Sequence, residues 1–481
     1  MTSPGVVIKA EGRFKSLSWH GFGLMLVSAA ALCFEVILIR LFSVSQFYHF
    51  AFMVVSIAVL GFGASGTYLA LRKTVPGNIE KQSLPWLAGL MGLTMLGSYL
   101  FVNLIPFDSF KIALQPSQIL LLMVHYAALS TPFFFCGMII SLMLRQYRQH
   151  GGEVYALNLL GSAAGCLAAV LLPGWIDGEG VVLASAAFAL LGGLLFTRQL
   201  WGKGPGSNRK GKASILFLAS WLLLAFLLIL FRLITGAYPA FLEINLSPYK
   251  GLSYALQPSH AEVVSSRWNS FSKMDLVRSP SLHALPGLSY RYSGEVPEVQ
   301  GLFIDGDNLN PVLGEKPSMA FSEHLPAAIA YQLHPTANVL ILESKTGMDV
   351  QVALYLGAVM VTAVEDNPLI IEASRSAYEH AMLGWHQSSG RSFLRGNHWM
   401  YDIVQIPLTD SYHPVSSGAY ALGEDYRYTV EAFEELLLAL KPDGLLVVTR
   451  WLQEEPTEWL RTFALAVTAL EAQGVDPVDR I

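Results

Sequence analysis

Charge is scarce in this sequence. Asp, Glu, Lys and Arg make up 14% of it, where a soluble protein carries about a quarter. The shortfall is uneven: long apolar runs crowd the first half and are missing from the second. That pattern excludes a single soluble globule and implies a membrane part followed by a soluble part. An excess of basic charge is missing too. The net charge of −5 excludes a strongly basic nucleic-acid binder, and no nucleic-acid partner is expected. Cysteine is nearly absent. Cys33, Cys136 and Cys166 all fall in apolar runs, which excludes a disulfide framework and reads as small buried side chains. The second half has no cysteine and so carries no redox signature. Metal-ligand spacing is also lacking. His49, His125 and Asn158 are isolated in apolar runs and are expected to make hydrogen bonds between helices.

What is present begins with a short tail, residues 1–17, carrying Lys9, Arg13 and Lys15. The run after it is too long for a signal peptide and has no cleavage pattern, so it reads as a retained span. A helix needs about 20 apolar residues to cross a bilayer. Seven runs qualify, near 19–43, 47–71, 84–106, 117–144, 153–173, 180–200 and 213–235, giving a helical membrane domain over 18–236. Residues 201–212, Gly-rich and basic, read as a connector. Basic residues mark alternate loops: the tail, Arg72/Lys73/Lys81, Arg145/Arg148 and Lys203/Arg209/Lys210/Lys212. The other loops hold only Lys111. The positive-inside rule therefore puts the N-terminus in the cytoplasm of a multi-pass inner (plasma) membrane protein. Seven crossings then put the second half on the outer face, unless one span is re-entrant around 231–246.

Within the spans, Glu35 and Arg40 are the polar residues that carry charge into the first run. Five positions apart, they lie about 140° apart around a helix and do not face each other. They read either as partners for neighbouring helices or, for Glu35, as a cation-transport site. Gly61/Ser65 and Gly161/Ser162/Gly165 have the spacing of tight helix contacts.

The soluble half alternates strand and helix signals. Residues 237–300 are rich in Tyr, Ser and Pro, with short runs at 261–265 and 274–277, and read as a β-rich lead-in. The run 302–304 ends in Asp305-Gly306, a turn signal. A helix is expected over 321–333, a strand over 339–342, a helix over 350–357 and a strand over 359–364. A helix opening at Pro368 follows, then a weakly defined stretch, 381–400. A strand at 402–406, a helix at 429–440, a Lys441–Gly444 turn, a strand at 445–448 and a helix at 457–472 complete the pattern. Such alternation predicts a Rossmann-like parallel sheet covered on both faces, over residues 301–481. The stretch 338–368 reads as strand, turn, helix, strand and acid, the first half of a nucleotide-binding unit. Glycine is scarce where it matters most. Glu343, Ser344, Lys345 and Thr346 occupy the turn, and only Gly347 remains.

The segments 302–307, 321–326, 339–350, 361–370, 390–394, 401–405, 424–433 and 442–451, together with CFEVILIRL at 33–41, resemble the membrane-fused spermidine synthase-like (polyamine aminopropyltransferase) family. That family shares its fold with S-adenosylmethionine-dependent methyltransferases. The resemblance implies transfer of an aminopropyl or methyl group from a sulfonium nucleoside, decarboxylated S-adenosylmethionine or S-adenosylmethionine itself, to an amine. It implies that Gly347 and Asp349 hold the nucleoside, and that Glu365, beside Asp366, contacts it. Glu323 would help seat the amine, Tyr426 would line its pocket, and Asp410 would stand in the catalytic loop. Departures accompany these matches. Ser389 replaces an acid, Phe321 replaces a tyrosine, and Pro407 stands where the first catalytic aspartate belongs. An amine of pKa about 10 must lose a proton before it attacks, and proline cannot take it.

The residues themselves leave alternatives open. Glu365 reads as a ligand contact or a helix cap, Asp410 as a charge holder or a turn residue, and Tyr426 as a pocket wall or a helix start. The family pattern also leads to a final strand pair that this sequence lacks, so a second protein chain is expected at an open sheet edge. Two functions follow: a membrane-anchored transferase, or a degenerate transferase domain that binds or assembles other proteins.

Overall fold

The computed structural model describes residues 5–46, 51–72, 77–105, 107–108, 111–112, 114–197, 205–283, 285–314, 317–377, 380–408, 426–452 and 458–481. By their contacts these form a helical unit, residues 1–248 with 267–273, and an α/β unit, residues 249–266 with 274–481.

The helical unit contains α1 (Gly5–Ser45), α2 (Ala51–Leu71), α3 (Gly77–Leu104), α4 (Ser117–Gln146), α5 (Gly151–Leu171), α6 (Pro173–Thr197) and α7 (Pro205–Thr235). Among the described residues, seven helices are long and apolar enough to cross a membrane. The tail expected at 1–17 is helical from Gly5, and the connector expected at 201–212 is helical from Pro205. Small side chains set the packing, as their spacing implied. A Cβ at Gly161 would fall on the Met25 carbonyl of α1, and one at Gly165 on the Ala29 carbonyl. A Cβ at Gly61 of α2 would meet the Ser130 carbonyl of α4. Backbones approach closely only because these hydrogens are all that intervene. Ser28 Oγ donates to Asn158 Oδ1 at 2.8 Å across the α1–α5 contact. Cys33 and Cys136 are fully buried and Cys166 half-buried, while Glu35 and Arg40 are both half-buried on α1. Helix α6 kinks at Asp177 (φ 57°), whose carboxylate accepts from Arg232 Nε of α7 at 2.5 Å.

The α/β unit opens with α8 (Gly251–Ala255) and a four-stranded sheet, β1 (Glu262–Trp268), β2 (Lys273–Arg278), β3 (Val299–Ile304) and β4 (Asp307–Leu313), in that order. Strands β3 and β4 are antiparallel, and Asp305 (φ 52°) and Gly306 (φ 72°) join them. Two left-handed residues make the tight turn whose twist suits a hairpin, which explains the Asp-Gly pair.

A second sheet follows, with α9 (Ala328–Leu333) leading into it. Its elements are β5 (Asn338–Leu342), α10 (Met348–Tyr355), β6 (Met360–Glu365), α11 (Pro368–Ala377), β7 (Leu383–Gln387), α12 (Gly390–Leu394), β8 (Tyr401–Ile406), α13 (Val430–Ala439), β9 (Leu440–Val448) and α14 (Glu458–Ala472). The order is β7-β6-β5-β8-β9, with every neighbouring pair parallel. The first strand is central, and the chain builds outward on one side and then the other. This is a doubly wound arrangement, with its switch point at the C-terminal ends of β5 and β8. Alternate residues supply two cores. Leu340, Leu342, Val364, Val404 and Ile406 pack on one face, and Val339, Ile341, Val361, Ala363 and Ile403 on the other. Each buried Val, Leu or Ile among them contributes about 1.5–3 kcal/mol.

Three expectations change. The helix expected at 321–333 is broken at Pro326 into a 3-10 turn, Ala320–His324, and α9. The stretch expected to be weakly defined, 381–400, holds β7 and α12. Strand β7 is half-exposed at the sheet margin, so it lacks the apolar run that marks a central strand. The turn expected at Lys441–Gly444 lies within β9, where the register against β8 slips between Tyr401 and Ile403.

Candidate functional site

The site forms at the switch point, around the loop joining β5 to α10. Glu343 (φ 55°), Lys345 (φ 48°) and Gly347 (φ 78°) are all left-handed. Every second residue of the turn thus adopts the conformation that glycine favours, although glycine stands at one position of the three. For the two others this handedness costs roughly 1–2 kcal/mol each. Hydrogen bonds on every side hold the shape. Ser344 N–H donates to the Val364 carbonyl at 3.1 Å, and Gly347 N–H to the Ser344 carbonyl at 2.9 Å. Thr346 Oγ1 donates to the Pro311 carbonyl at 2.6 Å, and Ser374 Oγ to the Lys345 carbonyl at 3.1 Å. The side chains at the two non-glycine positions meet each other. Lys345 Nζ lies 3.8 Å, and Arg427 Nη1 3.5 Å, from Glu343 Oε2.

Glu365 ends β6 and is 2% exposed. Its Oε2 accepts from Lys345 N–H and its Oε1 from Asn367 N–H, both at 3.1 Å. Both carboxylate oxygens are engaged by backbone, so the side chain clamps the loop to the end of its own strand. Burial raises its pKa, with the bond to Asp366 and the nearby Glu343 acting in the same direction and Lys345 opposing them. Asp366 is exposed beside it.

Next to the loop is a cleft of about 50 Å³, lined by Lys345, Thr346, Asp349, Asn310, Pro407 and Thr449 among others. That is room for roughly three or four waters. Asp349, in the first turn of α10, accepts from Gln405 Nε2 at 2.8 Å, and Tyr331 OH donates to Gln405 Oε1 at 2.7 Å. Burial pushes the Asp349 carboxyl up to about 6, although the bond from Gln405 pulls the other way. Burial raises the Tyr331 hydroxyl as well, with Asp349 adding to it.

The structure thus brings Gly347, Asp349 and Glu365 together, with Asp366 at their margin. Glu323 is exposed on the 3-10 turn and Tyr426 is 63% exposed, and neither lines the cleft. Asp410 lies outside the described residues. Phe321 is fully buried, and Ser389 caps α12 by accepting from Ser392 N–H. Pro407 forms part of the cleft wall. Sequence reasoning missed Gln405 and Tyr331, which are 1% and 3% exposed. A signal existed in YDIVQ at 401–405: a glutamine closing an apolar strand needs a buried partner.

No family model and no curated protein matches the chain. Among solved structures it is similar to a spermidine synthase in complex with the transition state analogue AdoDATO, at 19% identity and TM-score 0.30. It is similar to spermidine synthase from Thermotoga maritima at 20% identity and TM-score 0.31. Each match covers 44% of this chain and 63% of the other. An S-adenosylmethionine dependent methyltransferase from Mesorhizobium loti matches at 18% identity and TM-score 0.20, over 26% of this chain and 52% of that one. The chain therefore spans about 63% of the length of the spermidine synthases it matches.

Proposed function

We propose that this is a multi-pass membrane protein whose soluble unit keeps a spermidine synthase-like scaffold without its aminopropyl transfer, and serves as a membrane-tethered binding or assembly module. One observation carries the reading: the Glu365 carboxylate is 2% exposed and each of its oxygens is tied to a backbone N–H, so it holds the loop and presents little surface to a ligand. The Glu343, Lys345 and Arg427 charges beside the loop support it, as does Pro407 at the position where a base is needed. The partner is a second protein chain pairing with β9, one of the two outer strands of the described sheet. Titration calorimetry of the full chain with S-adenosylmethionine and with decarboxylated S-adenosylmethionine tests the reading. No saturable heat is expected from either. Saturable heat together with an aminopropylated amine product would overturn it.

A second reading rests on Asp349, whose carboxyl lines the cleft and is raised toward the range useful to a general base. Here the amine nitrogen bonds to the aminopropyl carbon, the carbon–sulfur bond breaks to leave a neutral thioether, and the carboxylate takes the amine proton. On that reading wild-type protein makes product and Asp349→Asn loses at least about 100-fold in kcat.

A further inference from the structure

Glu35 lies inside α1, within the part of that helix long and apolar enough to cross a membrane and ten residues, about 15 Å, from its C-terminal end. Its carboxylate makes no hydrogen bond or ion pair among the described residues, and no charged group is close enough to act on it. Arg40 lies about 140° away around the helix and does not reach it. The residue is half-buried, and both carboxylate oxygens reach the surface of the helical unit. The surroundings show which surface that is. Phe34, next in sequence, packs on Phe133 of α4, with ring centroids 6.0 Å apart. Ser28, two turns earlier and only about 20° away around the helix, is covered by α5 through its bond to Asn158. Beyond Ser28 the cover thins. Leu32, Glu35, Val36, Ile39 and Ser43 are all half-buried, whereas Phe34, Ile37, Leu38, Leu41 and Phe42 are buried. The half-buried set follows i, i+3, i+4, i+7 and i+11, which is one stripe of a helix about three turns long.

In a bilayer this stripe meets lipid tails. They cover Leu32, Val36 and Ile39 well, but they offer a carboxylate neither a donor nor a counter-charge. A second helix laid along the same three turns covers the apolar residues equally well, and a cation on it completes Glu35 with a charge-assisted bond. We propose that this stripe docks a transmembrane helix of a partner protein that carries a Lys or Arg opposite Glu35. The site belongs to the helical unit alone. It stands whether or not the soluble unit transfers a group, so a calorimetric result that overturned the module reading would leave it in place.

The test uses the full chain in phosphatidylcholine vesicles with dilute polyleucine peptides of about 22 residues, long enough to span. Each peptide has a central Lys, Glu or Leu and a diazirine one turn away, and the yield of photo-cross-linking to the chain is read on a gel. The Lys-centred peptide is expected to exceed the Leu-centred one by about fivefold, with the adducts mapping to α1 around Glu35. Glu35→Gln is expected to remove most of that excess. Glu35→Lys is expected to abolish it and to favour the Glu-centred peptide instead. Should Glu35→Lys fail to fold, Glu35→Gln decides alone. Equal yields from the Lys and Leu peptides on wild type, or an unchanged Lys excess on Glu35→Gln, would overturn the proposal. A wild-type dimer that dissociates on Glu35→Gln would also overturn it, by assigning the stripe to a second copy of this chain.

Discussion

At the scale of single residues, the decisive feature is a turn that takes the left-handed backbone at three positions with glycine at only one of them. Lys345 and Glu343 hold φ values that cost energy, and their side chains occupy space a hydrogen would leave open. Glu343→Gly with Lys345→Gly is therefore expected to relieve strain of about 1 kcal/mol or more per site, offset in part by the lost ion pairs. The same double variant should bind S-adenosylmethionine measurably in calorimetry where wild type does not. Identical behaviour of the two proteins would refute the idea that these side chains close the site. Asp349 gives a pH prediction. Its carboxyl rises from an ordinary 3.8 to about 6 in the folded protein, so folding favours its protonated form. Its contribution is fully present below the unfolded value and is lost as pH rises through the folded one. Relative to Asp349→Asn, wild type should lose on the order of 2 kcal/mol between pH 4 and pH 6.5, allowing for partial exposure. Hydrogen exchange of the β5 and β8 amides across that range measures it, and a flat difference would count against a raised carboxyl. Residue-level legibility was partial for a physical reason. Gly347 announces its φ by its identity, whereas Glu343 and Lys345 adopt theirs because Glu365, Ser374 and Thr346 bond the loop from distant positions.

At the scale of elements, helix packing in the first unit depends on missing side chains. Gly165→Val would drive a branched group into the Ala29 carbonyl of α1, and there is no flexible neighbour to yield. It should abolish recovery of folded protein, while Gly152→Ala, at a position with nothing within 4 Å, should be silent. Size-exclusion yield in detergent decides this, and equal yields would refute the packing account. Elements with a strong period were readable. Strands β5, β6 and β8 fill two cores and show it in their mainly apolar runs, and Thr429 and Pro368 marked their helix starts. Strand β7 was not readable, because LGWHQ is half-exposed and its place is fixed by pairing with β6. The broken helix at 320–333 was misread because Pro326 was taken as helix interior, when proline there removes a donor.

At the scale of the whole chain, seven helices among the described residues are long and apolar enough to cross a membrane and precede the α/β unit, and if all cross, an odd number of crossings separates the two ends. The α/β unit contains no cysteine. A cysteine placed at exposed Glu323 should therefore react with an impermeant maleimide in intact cells, if all seven helices cross and the N-terminus is cytoplasmic. Labelling only after lysis would mean that one helix does not span. The layout of two units was visible in the distribution of charge, whereas the register of the slipped β8–β9 pair follows from tertiary contacts that no local pattern encodes.

The alternating left-handed turn at 343–347 also bears on how freely its sequence can vary. The bonds from Glu365, Ser374 and Thr346 do not depend on the side chains of Glu343 and Lys345. The path of the peptide is therefore set by its surroundings, and those two positions can be rewritten without redrawing the loop.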